Sequence, residues 1–283
     1  MRRPVRLRVV QSAPLLGDVD ANLAAHAETI AEAADDGRQL VVFPELSLTG
    51  YALGDLVDAV ALDPSHPRWP DLLALSAKID VVVGFVERGG DGWLHNAAAY
   101  LSGGRLLHLH RKTYLPTYGM FDEGRFFVPG DTLETFEAPW GRGALVICEE
   151  AWHPSVVHAA VGAGAHLLIV TANAPGRRPI DGGWESQRAW RAILSAYARL
   201  YAVGVVFASR VGWEEGLLFG GASAVWGFAG RTIAQAREIE PETLDAVLEP
   251  DDFRRARIAN PAHGVERDDL LIEALERAGG RSP

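Results

Sequence analysis

Leu145-Val146-Ile147-Cys148-Glu149-Glu150-Ala151-Trp152-His153-Pro154 reads as an apolar strand ending in a cysteine, then two carboxylates and a Trp-His-Pro turn. The chain continues from His153 to Val161 as a helix, is punctuated by Gly162 and Gly164, and returns in the apolar strand Leu167-Leu168-Ile169-Val170. The same helix, glycine, apolar strand unit occurs twice more. Upstream, Asp18 or Asp20 caps a helix with the apolar stripe Leu23, Ala27, Ile30, Ala31 and Ala34. Gly37 ends it, and Leu40-Val41-Val42-Phe43 follows, stopped by Pro44 and Glu45. Downstream, a helix from Trp184 to Val203 and Gly204 lead into Val205-Val206-Phe207-Ala208. Strands apolar at every position are buried on both faces. Three such units of unrelated sequence predict a layered α/β (α+β) fold and not a solenoid.

Hairpin signals lie between the units. Val81 to Val86 is a strand, Gly89-Gly90-Asp91-Gly92 turns into Trp93 to Leu101, and Ser102-Gly103-Gly104-Arg105 turns into Leu106 to His110. Gly220 to Trp226 and Arg231 to Ala236 make a late hairpin. Val5, Leu7 and Val9 share one face of a first strand, so the basic N-terminus does not read as a signal peptide. Without a Pro/Ser-rich linker, we expect one domain over residues 1–283, with 250–283 as a charged surface or subunit-contact tail and a frayed Gly-Gly-Arg-Ser-Pro end.

Composition narrows the function. A hydrophobic content of 48% and a charged content of 23% suit a soluble globular protein. The net charge of -10 provides no basic excess for neutralising phosphates, which argues against a nucleic-acid partner. No apolar segment approaches the roughly 20 residues needed to span a bilayer, so we expect a cytoplasmic protein. With a single cysteine, a disulfide framework and a cysteine-based zinc site are excluded. His95, His108 and His110 sit on a hairpin without a clear further ligand, and no metal is expected.

A lone cysteine is by default a small buried hydrophobe. Cys148 has company, however. Glu45 closes the strand ending in Phe43-Pro44, and Lys112 closes the strand Leu106 to His110. In layered α/β sheets, the carboxyl ends of strands line the crevice where ligands bind. A carboxylate, an ammonium and a thiol converging there supply a proton shuttle, an oxyanion partner and a nucleophile. Nearby charge either raises the thiolate fraction or removes the proton on attack. The backbone N–H of Glu149 is a second candidate oxyanion donor.

These segments resemble the nitrilase superfamily of carbon–nitrogen hydrolases. Phe43-Pro44-Glu45-Leu46-Ser47-Leu48-Thr49-Gly50-Tyr51 resembles the glutamate motif, Arg111-Lys112-Thr113-Tyr114-Leu115-Pro116 the lysine motif, and Ile147 to Pro154 the cysteine motif. Asn96-Ala97-Ala98 and Phe219-Gly220-Gly221-Ala222-Ser223 fit as well. The resemblance implies a four-layer α-β-β-α sandwich, no cofactor, no metal and association into a homodimer or higher homo-oligomer. It also implies a second glutamate after the lysine, for which Glu123 is the match and Asp122 the competitor.

Leu115 to Glu123 and Cys148 to Trp152 are most similar to the glutaminase domain of glutamine-dependent NAD synthetases. That branch implies a separate synthetase partner, since no synthetase segment follows within these residues and the chain is not expected to make NAD alone. The loop after Val170 reads Thr171-Ala172-Asn173-Ala174-Pro175-Gly176-Arg177-Arg178, without the branch's serine. Tyr118, Phe121, Glu149, Trp152, Asn173 and Trp184 are the expected substrate-binding residues. The leading expectation is therefore hydrolysis of a small linear amide through a thioester on Cys148. Alternatives are an ammonia-supplying glutaminase, an N-carbamoyl amidohydrolase, a nitrilase, or an inactive scaffold.

Overall fold

A computed structural model describes residues 1–279; residues 280–283, most of the expected frayed end, lie outside the described residues. The chain runs β1 (Val5–Gln11), α1 (Val19–Asp35), β2 (Leu40–Val42), α2 (Trp69–Ala74), β3 (Asp80–Arg88), β4 (Leu94–Ser102) and β5 (Arg105–Arg111). It continues through β6 (Phe136–Ala138), β7 (Gly141–Ile147), α3 (Pro154–Gly162), β8 (Leu167–Ala172), β9 (Pro179–Ile180), β10 (Gly183–Trp184), α4 (Glu185–Leu200) and β11 (Gly204–Ser209). The remainder is β12 (Val211–Glu214), β13 (Leu217–Gly220), β14 (Ala224–Trp226), β15 (Thr232–Gln235), β16 (Glu242–Leu248), α5 (Pro250–Ala259) and α6 (Asp268–Ala278).

Two six-stranded sheets result, ordered β16-β1-β2-β3-β4-β5 and β15-β14-β11-β8-β7-β6. Residue alternation sorts the first sheet's two faces. Val42, Val82, Ala98 and Tyr100 point to the second sheet, while Val41, Val81, Val83 and Phe85 meet Leu23 and Ile30 of α1 and Leu72 of α2. On the far side, Val157 and Val161 of α3 and Trp190 and Leu194 of α4 cover the second sheet. The layers are thus α-β-β-α, as expected, and each fully buried Leu, Ile or Phe contributes roughly 1.5–3 kcal/mol to holding them. A hydrogen bond crosses the seam between sheets, from Trp140 Nε1 to Tyr100 OH at 3.1 Å.

The α1 stripe differs from expectation. Asp18 does cap the helix, accepting from Ala21 N at 3.0 Å. Asn22, His26 and Ala33 are buried with Leu23 and Ile30, whereas Ala27 and Ala31 are exposed. His26 fits inside because it stacks on Phe43 and both ring nitrogens find partners, in Asn22 O and Ser47 Oγ. β16 and α5 are among the elements that escaped the sequence reading. β16 pairs antiparallel with β1 and forms the edge of the first sheet. Helix α5, hidden by its charges, places Phe253 against Phe228 and His166. Helix α6 lies within the expected surface tail, with Leu270, Leu271, Ile272 and Leu275 all exposed.

Candidate active site

The strand ends do converge. Glu45, Lys112, Cys148 and Asn173 follow β2, β5, β7 and β8, so two residues come from each sheet. Lys112 is buried, and its Nζ lies 2.7 Å from Glu45 Oε1 and 2.8 Å from Glu123 Oε1. An ammonium has three donors. Two are used by these carboxylates, which leaves one for a ligand.

Glu45 is held on every side. Asn96 Nδ2 donates to Oε1 at 2.8 Å, and the Asn173 backbone N–H donates to Oε2 at 2.8 Å. Asn173 Nδ2 donates to the Glu45 carbonyl at 3.1 Å. The turn carrying Glu45 crosses β3 at Gly84, where a Cβ would lie 2.7 Å from Pro44 O and 2.9 Å from the Glu45 carbonyl carbon. Only a residue without a Cβ fits there.

Glu123 is buried and Asp122 exposed, which separates the two acids that sequence left in competition. Tyr51 OH donates to Glu123 Oε1 at 2.8 Å, and Glu123 Oε2 has no hydrogen-bond partner among the described residues. Burial raises the Glu123 carboxyl above its ordinary value; Lys112 opposes this and the charge on Glu45 adds to it. Burial would lower Lys112, but the facing Glu123 and Glu45 hold it well above its ordinary value, so it stays an ammonium.

Cys148 begins a 3-10 turn over Cys148–Trp152 with φ of 47°, a left-handed conformation that costs a non-glycine residue about 1–3 kcal/mol. Such strain survives only where the surroundings over-determine it. Burial, with the charge on Glu45, pushes the thiol well above its ordinary value despite Lys112 and the Asn173 N–H. The resting group is therefore a thiol and not a preformed thiolate.

At the mouth, Tyr118 OH donates to both Glu149 carboxylate oxygens, at 2.9 and 2.8 Å, and the Tyr118 and Phe121 rings meet edge to face at 5.9 Å. The Arg177 guanidinium lies over Phe121, 5.1 Å from the ring centroid. A cavity of about 130 Å³ opens beside Glu123, lined by Tyr51, Met120, Phe126 and Phe127 among others. The larger groove, about 470 Å³, lies between α1 and α2, away from these groups.

Of the expected binding residues, Tyr118, Phe121 and Glu149 gather at this mouth. Asn173 instead has its N–H groups turned to Glu45. Trp152 is tied to Trp190, with ring centroids 5.1 Å apart, and Trp184 to Gly176 and Glu238. Sequence reasoning missed Tyr51 as a partner of Glu123, and it missed Glu214, whose Oε1 accepts from the Tyr51 and Ala52 N–H groups at 2.8 and 2.7 Å. It also missed Arg210, which sits 2.7 Å from Glu214 and over Phe219. No spacing pattern signals the Tyr51–Glu123 and Tyr51–Glu214 contacts, which join residues 72 and 163 positions apart.

Comparison with known proteins bears on the family and the fold. A glutamine-dependent NAD(+) synthetase from Thermotoga maritima is 30% identical over 265 residues, covering 91% of this chain and 44% of that protein. The chain thus spans less than half of that relative's length. An N-carbamoylputrescine amidase from Arabidopsis thaliana is 27% identical over 267 residues, covering 89% and 88% of the two chains. The crystal structure of an amidase from Nesterenkonia sp. shares the fold with a TM-score of 0.81 at 24% identity, covering 97% and 98%. A carbon-nitrogen hydrolase family model matches residues 6–258. A match of that extent leaves little of the chain outside it: the protein belongs to the carbon–nitrogen hydrolases of the nitrilase superfamily, and is an enzyme.

Proposed function

We propose that the protein hydrolyses the C–N bond of a small linear amide through a thioester on Cys148, releasing ammonia or an amine. One observation carries the reading: a buried ammonium, Lys112, bridges two carboxylates, Glu45 and Glu123, and the charges of all three bear on the buried Cys148 thiol. As the Cys148 sulfur bonds to the carbonyl carbon, Glu45 takes the thiol proton. The Asn173 backbone N–H that donates to Glu45 Oε2 also bears on the Cys148 thiol, which ties the carboxylate to the sulfur. The carbonyl oxygen becomes an oxyanion, met by the third Lys112 donor and the Glu149 backbone N–H. Glu45 passes the proton to the departing nitrogen, the C–N bond breaks, and the thioester remains. Water then attacks, giving its proton to Glu45, and the carboxylic acid leaves as the thiol re-forms. The free Glu123 Oε2 accepts from the substrate amide and fixes its orientation.

A second reading has its own support. Glu149 and Arg177 place a carboxylate and a guanidinium at the same mouth, a pair suited to the ammonium and carboxylate of an α-amino acid. Glutamine has those groups beyond its amide, so an ammonia-supplying glutaminase working with a separate synthetase is the alternative. We take the chain as a single hydrolase domain, with the exposed apolar face of α6 in keeping with a subunit contact.

The test is ammonia release over glutamine, ω-amides, carbamoyl amines and nitriles, with mass spectrometry of the protein in each mixture. A thioester adduct lost in Cys148→Ala is expected. Turnover that persists in Cys148→Ala, or no turnover of any amide, ends the proposal.

A further inference from the structure

Lys112 and Cys148 belong to different sheets, yet one buried carboxylate touches the backbone beside each. Glu150 is 0% exposed. It accepts from Ile147 N at 2.6 Å, from Thr113 N at 2.7 Å and from Thr113 Oγ1 at 2.7 Å. His110 Nε2 lies 2.9 and 2.8 Å from its two oxygens. Ile147 immediately precedes Cys148, and His110 and Thr113 flank Lys112.

A carboxylate without partners at this depth would cost several kcal/mol. Burial alone would raise the Glu150 carboxyl, but His110, the Ile147 N–H and the Thr113 N–H hold it below the ordinary carboxylate range. A plain cap for the Cys148–Trp152 turn would need only the Ile147 N–H. Here the other three donors come from the opposite side of the seam, where they do nothing for the turn itself. What they do is hold the end of β5 against the end of β7. The strained Cys148 conformation, with φ of 47°, lies one residue from this junction.

We propose that Glu150 is a positioning residue: its carboxylate clasps the Lys112 and Cys148 segments together, so that ammonium and thiol address one carbonyl group. The inference rests on Cys148 being the nucleophile. It assigns to the second of the two acids after the cysteine a function carried by its side chain, whereas the first acts through its backbone N–H and at the mouth.

The test compares Glu150→Gln and Thr113→Ala with Asp245→Asn, which weakens the distant Arg8–Asp245 pair between β1 and β16. Three quantities are measured: kcat and KM on an amide the wild type turns over, the rate of Cys148 alkylation by iodoacetamide, and the unfolding midpoint. Glu150→Gln should lower kcat about a hundredfold and slow alkylation, with KM within about threefold. Thr113→Ala, which removes one of the four donors, should lower kcat about tenfold. Asp245→Asn should lower the midpoint and leave the other two unchanged. The proposal is overturned if folded Glu150→Gln keeps kcat and alkylation within about twofold of wild type. If Glu150→Gln does not fold, an unchanged kcat and alkylation rate in Thr113→Ala overturns it. A wild type without Cys148-dependent turnover defeats the proposed function instead, and the alkylation comparison still tests the clasp.

Discussion

Lys112 and Glu45 form an ion pair in which neither side chain is exposed to solvent, with Nζ 2.7 Å from Oε1. Removing one partner of a buried pair strands the other. Lys112→Met should therefore destabilise the fold by about 3–5 kcal/mol and abolish turnover. The double variant Glu45→Gln/Lys112→Met, which still leaves Glu123 without its ammonium, should recover part of the stability and none of the activity. Denaturant unfolding and ammonia release separate the two effects, and activity restored in the double variant would contradict the roles given to both.

Gly84 sets the position of Glu45, the base in the proposed mechanism. Its missing Cβ makes room for Pro44 and Glu45, and the crowding atoms are backbone, which cannot swing aside. Gly84→Ala should give a folded protein in which Glu45 is displaced, with turnover down about a hundredfold. Circular dichroism and kcat/KM on one amide check this; wild-type activity would mean that the turn has more slack than its packing implies.

The raised pKa of Cys148 gives a signed pH dependence. Alkylation of the ligand-free enzyme should keep accelerating as pH rises past about 8.5, where a free thiol is half ionised, and Lys112→Met should move the rise to higher pH still. Folding responds with the matching sign. The unfolded chain ionises first, near about 8.5, while the folded thiol keeps its proton, so this group withdraws stability as pH climbs above that value. A plateau in alkylation below neutral pH would show a thiolate at rest and remove the need for Glu45 as base.

Glu149 and Arg177 make the two substrate readings separable. If the substrate is an α-amino acid amide, Arg177→Ala and Glu149→Gln should raise KM for glutamine about tenfold to a hundredfold. The same changes should hardly affect an uncharged aliphatic amide. Equal effects on both amides would assign these residues to structure, and the simple amidase reading would stand alone.

What was legible in the sequence follows from the range of each signal. Glu45 and Cys148 each close an apolar strand, and Lys112 an alternating one, within a few residues, so local reading found them. Glu123 was separable from Asp122 only in three dimensions, by burial and by the contacts with Lys112 and Tyr51. The His110–Glu150 contact joins residues 40 positions apart, and Tyr51 meets Glu214 across 163, distances at which no periodicity speaks. Helix α1 shows the limit of polarity as a guide: His26 and Asn22 are buried because each finds hydrogen-bond partners, while Ala27 and Ala31 are left facing out.

The division of the strand ends between two sheets has a consequence for synthesis. Val5–Gln11 is flanked on one side by Glu242–Leu248, so the sheet that contributes Glu45 and Lys112 receives its edge strand only after the segment through Leu248 has been made. The thiol arrives on the other sheet. A nascent or half-unfolded molecule therefore holds an acid and a base with no aligned nucleophile, or a nucleophile with no base. On the proposed mechanism, Cys148 becomes acylatable only once both sheets are in place.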